Sequence, residues 1–427
     1  MINHVVKPGE SIYSIARMYN ASPQKIIRDN ELENPNELVV GQTIVVQTPS
    51  QVHVIRPMDT LRGIANMYNT TVVELLQKNP FITNSNVIYP GEEIVISYDE
   101  PKRGSIAVNG YAYPNIDKKV LLKTLPYLTY LSLFTYGITP EGELIGIDDE
   151  EIIKMARDYG VAPLMMISTL TEEGTFSNEL ASAILNNETV QNNLIENILE
   201  NLKAKNYYGL DVDFEYILPE DREKYVDFIN KLTTRLNEEG YQVITALAPK
   251  ISGTQPGLLY EAHDYPALGD VSNKVLLMTY EWGYTYGPAM AVAPVDKVRE
   301  VLDYAKTVID PEKIFMGIPN YGYDFTLPFV QGTSKADSVS NVEAVELAAD
   351  VGTQIQFDEV SKAPYFIYYD ENGKQHQVWF EDARSIQEKL NLYTEYGLDG
   401  VAYWNIMKYF PQNWLVLNSL YDIEKLV

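Results

Sequence analysis

GLDVDFEY, residues 209–216, is the stretch on which the fold turns. In an extended strand alternate side chains face opposite ways, so Asp211, Asp213 and Glu215 share one face and Leu210, Val212 and Phe214 the other. Two settings suit such a strand. In an antiparallel sheet the acids would face solvent. In a barrel the apolar set would pack against surrounding helices and the acids would point inward, toward the C-terminal mouth. The octapeptide alone does not separate them.

Its neighbours do. Strand-like runs alternate with amphipathic helices from residue 104 onward: SIAVNGYAY, LTYLSLFTY, APLMMIS, YGLDVDFEY, YQVITALA, KVLLMTYEWGY, IFMGIPNYGY and GVAYWNI. Between them, residues 222–236 carry Tyr225, Phe228, Ile229, Leu232 and Leu236 on one helical face. Eight strands with intervening helices predict an α/β chain whose residues 104–427 form a (β/α)8 TIM barrel. Between strands 7 and 8 the pattern breaks. QIQFDEV and PYFIYYDENGKQHQVWF, turning at Asn372-Gly373, predict a small α+β insertion over about 326–382. Barrel strands are covered on both faces, which favours the inward orientation of the acids. Three carboxylates in that position are costly, and like charges about 7 Å apart along a strand push at least one pKa upward. Glu215, at the strand's exit, is thereby suited to remain protonated as a general acid near neutral pH.

Upstream, the chain repeats itself. HVVKPGESIYSIARMYNASPQKIIRDN from His4 aligns without a gap on HVIRPMDTLRGIANMYNTTVVELLQKN from His53. Each copy predicts a strand, two helices and a strand, with Ser11 and Thr60 as N-caps, Pro23 opening a second helix, and Gly41 and Gly91 turning into the last strand. Units 1–48 and 52–97 resemble the lysin motif (LysM), a small βααβ module. The resemblance implies binding of glycans containing N-acetylglucosamine. Residues 98–103, YDEPKR, form the expected linker.

Composition narrows the class. The chain has 427 residues, 45% hydrophobic and 22% charged, ample for several cores. A net charge of -26 opposes nucleic-acid binding and adsorption to anionic lipid. No apolar run approaches bilayer length, and MINHVVKPGE lacks the profile of a secretory leader. Cysteine is absent, and the four His form no HExxH pair, so neither metal nor cofactor is expected. The 32 Tyr, against 12 Phe and 4 Trp, supply flat faces with polar tips of the kind that sugar surfaces require.

Residues 104–427 resemble family 18 glycoside hydrolases, with their DxxDxDxE signature at 208–215 and supporting segments MTYEWGYTYGP, GIPNYGYDFTLP, VWFEDARSI and GVAYWNIMKYFPQNW. The resemblance implies that Glu215 protonates the glycosidic oxygen. Asp213 would orient the substrate acetamide with Asp211 beneath it, Tyr280 would bond the acetamide oxygen, and Trp404 would floor the cleaved sugar. Further substrate contacts are expected from Glu281, Trp282, Tyr321, Asp324 and Tyr111. Tyr208 replaces the motif's first Asp, Glu281 stands where many relatives have Asp, and ISTLTEEG replaces the small residues usual at the end of strand 3. MTYEWGYTYGPAMAVAP and YFPQNW look closer to the branch acting on spore cortex.

That branch implies a retaining, substrate-assisted N-acetylglucosaminidase acting during germination on cortex glycan containing N-acetylglucosamine and muramic δ-lactam. A conventional nucleophile from Glu281 or Asp324 is the competing mechanism. A chitinase or chitooligosaccharide hydrolase, and a non-catalytic glycan-binding coat protein, are the competing functions. The resemblance further implies synthesis in the mother cell without a signal peptide, location at the spore coat and cortex surface, and coat proteins as neighbours.

Overall fold

A computed structural model describes residues 1–171 and 173–427; Glu172, within ISTLTEEG, lies outside the described residues. Eight parallel strands close into a barrel: Ser105–Ala112, Tyr130–Ile138, Ala162–Ser168, Gly209–Asp213, Gln242–Leu247, Lys274–Leu277, Ile314–Pro319 and Gly400–Trp404. Each pairs with its neighbours in chain order, and the first strand closes the ring against both the second and the eighth.

Period-two alternation decides what fills the inside. On the fourth strand Leu210, Val212 and Phe214 belong to the outer core shared with the helices. Asp211 and Asp213 face a separate inner cluster that includes Ala107, Tyr130, Leu164, Ile244, Leu276 and Phe315. The helix Arg222–Asn237 buries Tyr225, Phe228, Ile229, Leu232 and Leu236, the face its spacing predicts.

The insertion is a five-stranded antiparallel sheet with the helix Asn341–Asp350 against it. It begins at Gly322 rather than near residue 326. Strand Gly322–Leu327 pairs with Gln375–Trp379, so the apolar run that reads as one barrel strand is two strands broken at Asn320-Tyr321.

Both N-terminal units are βααβ modules, with strands Ile2–Val5 and Thr43–Val46 in the first and Gln51–Val54 and Glu93–Ser97 in the second. Ser11 and Thr60 cap the first helices. Each copy repeats one polar relay: His4 joins Tyr19 (2.9 Å) to Glu10 (2.8 Å), and His53 joins Tyr68 (3.0 Å) to Asp59 (2.9 Å).

The modules dock on the barrel through buried polar side chains rather than hanging from a tether. Gln412 Nε2 donates to the Thr43 carbonyl at 2.6 Å, and Gln77 Nε2 to the Pro126 carbonyl at 2.8 Å. Gly41 has φ +88, and a Cβ there would lie 1.8 Å from the Ile355 carbonyl oxygen of the insertion. Only glycine fits that approach.

Candidate active site

The barrel mouth opens into a cleft of about 560 Å³. Among its lining residues are Tyr111, Asp213, Glu215, Tyr280, Glu281, Trp282 and Trp404, seven of the ten expected site residues. No lysine or arginine is among the described lining residues.

Asp211 lies beneath, fully buried. Its Oδ2 accepts from Tyr111 OH at 2.6 Å and from Ser132 Oγ at 2.8 Å. Asn109 completes this base, donating to Ser132 Oγ at 2.9 Å. Among the described residues, one oxygen of Asp211 and one of Asp213 have no hydrogen-bond partner. Burial pushes the Asp211 carboxyl up to about 6. It pushes Asp213 well above the usual range, reinforced by the charges of Glu215 and Asp211. Glu215 is raised to about 7, first by burial and then by the charge of Glu281. The acid at the strand's exit is thereby held toward its protonated form near neutral pH.

Aromatic rings shape the rest. Trp404, at the end of the eighth strand, packs against Phe134 (5.1 Å between centroids), Tyr111 (5.7 Å) and Tyr113 (6.2 Å). Tyr280 follows the sixth strand, and its ring lies over Gly317, where a Cβ would come within 2.6 Å of it. Burial holds the Tyr280 hydroxyl protonated, with the Asp213 and Glu215 charges adding to the effect. It is a donor available to the cleft.

Glu281 sits in the left-handed region at φ +65, turning the chain after Tyr280. Its carboxylate accepts from Tyr321 OH and from Tyr323 OH at 3.0 Å. Tyr321 thus reaches the site through Glu281 and does not line the cleft. Asp324 is a correction. It lies on the first strand of the insertion, and its carboxylate accepts from Tyr368 OH (2.6 Å) and pairs with His376 Nδ1 (2.8 Å). Strand alternation explains the miss: Tyr323 faces Glu281, so Asp324 faces the other way.

Tyr323, Phe134, Tyr113 and Ser132 are site residues that the sequence reading passed over. Tyr321 and Tyr323 two apart were the available signal for the first. The others look like ordinary strand residues until the barrel closes.

A larger cavity, about 830 Å³, lies on the second module. It runs between Asp59–Arg62 and Thr83–Asn86, with Leu122, Asp158 and Tyr159 of the barrel forming one side. Hydroxyl and amide side chains alternate there with Leu61, Val72, Leu76 and Ile88.

Comparison with known proteins identifies the family and the fold. The profile of glycosyl hydrolases family 18 matches residues 126–408, and that of the LysM domain matches 4–47 and 53–97. The chain belongs to glycosyl hydrolase family 18 and carries two LysM domains. It is 42% identical over 428 residues to the cortical fragment-lytic enzyme of Bacillus subtilis (strain 168), covering 99% of this chain and 98% of that one. The crystal structure of the Bacillus megaterium QM B1551 spore cortex-lytic enzyme SleL superposes with a TM-score of 0.85 at 39% identity, covering 100% of this chain and 99% of that one. A chitinase from Chromobacterium violaceum ATCC 12472, 24% identical with a TM-score of 0.68 over 74% of this chain and 98% of its own, shares the fold.

Proposed function

We propose that this chain hydrolyses spore cortex peptidoglycan during germination, as an N-acetylglucosaminidase cutting on the reducing side of N-acetylglucosamine. The observation that carries the proposal is the cleft itself: three inward carboxylates without a cationic partner, the outermost raised to about 7, beside an aromatic floor.

Glu215 gives its proton to the leaving oxygen and then, as carboxylate, activates water. Conventional retaining glycosidases need a second carboxylate about 5 Å away as nucleophile. Asp324 faces the insertion, and Glu281 is engaged by two tyrosines, which disfavours both. The sugar's own acetamide oxygen fills the role. Its intramolecular attack on the anomeric carbon draws on a high effective molarity. Asp213 orients the acetamide and offsets the positive charge of the oxazolinium ion, Asp211 supports it, and Tyr280 donates to the acetamide oxygen. Trp404 stacks under the ring, with Tyr111, Glu281 and Trp282 around it.

This chemistry selects the bond. The sugar being cleaved must carry a rotatable N-acetyl group; muramic δ-lactam has none, and N-acetylglucosamine does. The LysM domains hold the polymer, with the large groove of the second as one site. Similarity to the cortical fragment-lytic enzyme supports cortex glycan over chitin. Location at the spore coat and cortex surface after synthesis in the mother cell, with coat proteins as neighbours, is part of the same proposal.

Reducing-end analysis of digested cortex tests the bond. New reducing-end N-acetylglucosamine is the expected product, and new reducing-end muramic acid contradicts it. A thiazoline mimic of the oxazolinium should inhibit strongly; a conventional nucleophile would leave it nearly inert. Turnover of cortex fragments should exceed that of chitin oligomers.

A further inference from the structure

The fourth strand ends at Asp213, so Phe214 lies one residue past its ladder and Glu215 two. Tyr216 then takes a left-handed conformation at φ 56, which turns the chain sharply away. A general acid on such an exit needs an anchor, because a misplacement of about 1 Å can cost a hundredfold in rate. The Phe214 ring is one half of that anchor, fully buried and stacked on Tyr225 with centroids 5.9 Å apart. Its carbonyl is the other half. It accepts from His263 Nε2 at 2.9 Å.

His263 is itself buried and reaches across to the next strand. Its Nδ1 accepts from the backbone N–H of Ala248 at 2.8 Å, just past the end of the fifth strand and beside Pro249, which lines the cleft. The two contacts fix the tautomer: Nε2 carries the proton and Nδ1 does not. The ring stacks on Tyr225 with centroids 6.1 Å apart. Its own carbonyl accepts from the Lys250 ammonium at 2.9 Å. Burial holds its pKa down to about 4, so the ring stays neutral across the working range.

We propose that His263 is a positioning residue for the proton donor: its Nε2–H holds the Phe214 carbonyl at the exit of the fourth barrel strand and thereby fixes the direction of the Glu215 carboxyl, the Ala248 contact serving to set the donating tautomer. The proposal rests on the assignment of Glu215 as the acid. His263 touches no substrate and is absent from the cleft lining. Its effect is on turnover and not on sugar binding.

Two substitutions separate its two bonds. His263→Gln can keep a donor to the Phe214 carbonyl while giving up the Ala248 contact; His263→Asn does the reverse. With full-length protein and purified cortex fragments, H263N should lose about ten- to a hundredfold in kcat, with KM within about twofold of the parent. H263Q should stay within about threefold in kcat. Parental kcat in H263N, or equal losses in both variants, overturns the proposal, since a merely structural residue would not distinguish them. If H263N does not fold, H263Q decides alone: retained kcat supports the strut and a loss of tenfold or more overturns it. Glu215→Gln run beside them separates the failures. Activity surviving in E215Q would refute the acid assignment, whereas an inactive E215Q with an unaffected H263N refutes only the strut.

Discussion

Two sets of buried carboxylates occupy this barrel and are handled in opposite ways. Glu381, where the inserted sheet returns to the barrel, meets the Lys389 ammonium at 2.8 Å with both side chains almost wholly inaccessible (1% and 0%). Its neighbour Asp382 caps the helix Ala383–Tyr396, pairs with Arg384 at 2.7 Å and accepts from Thr43 of the first module. Burial pushes Glu381 upward and the Lys389 charge pulls it back. Among the described residues Asp211, Asp213 and Glu215 have no such cation; the Tyr111 and Ser132 hydroxyls offset burial at Asp211, while at Asp213 and Glu215 the charges of neighbouring acids add to it. Paired acids hold the insertion and module to the barrel. Unpaired acids stand where the proposed mechanism moves protons.

Breaking the paired set should give the largest effect. Lys389→Met strands a buried carboxylate, and an unfolding titration should show a loss of about 3–5 kcal/mol. Adding Glu381→Leu should recover most of it, because an apolar pair of similar size is near neutral in such sites. In the unpaired set the signs reverse. Asp213→Asn should cost a hundredfold or more in kcat, about 2.7 kcal/mol of barrier, while its melting temperature holds or rises.

A subtler change sharpens the contrast through pH. The Glu281 charge helps hold Glu215 at about 7, and in the proposed mechanism Glu215 must be protonated to act. Glu281→Gln should therefore move the basic limb of kcat/KM toward lower pH, read from a full rate profile. Stability follows the same group. Its carboxyl is raised from 4.5 to about 7 on folding, so the folded state binds the proton more tightly. Its contribution is full below about 4.5 and is lost as pH rises through about 7. The smallest effect belongs to module docking. Gln77→Ala removes one hydrogen bond to the Pro126 carbonyl and should cost about 1 kcal/mol in thermal unfolding.

Much of this was open to reading from residue order. Alternation in GLDVDFEY places the acids inside because a barrel strand has a helix-covered face and a lumen face, and both cores are present. The gap-free repeat predicts the two modules down to their Ser11 and Thr60 caps. What failed was a boundary. IFMGIPNYGYDFTL runs apolar and aromatic through the end of one strand into the next, and the break is marked only by the short Pro319-Asn320-Tyr321-Gly322 turn inside that run. Asp324 was therefore placed at the barrel mouth when it belongs to the inserted sheet. His263 was equally hidden, because a buried histidine joining two backbones leaves no spacing to detect.

The central claim is that the unpaired acid at the mouth of the fourth strand is the proton donor. Turnover of purified cortex fragments by Glu215→Gln tests it most directly, with retention of the variant on insoluble cortex measured alongside. The account predicts turnover lower by about a thousandfold or more and retention equal to the parent. Substantial turnover in that variant would contradict it.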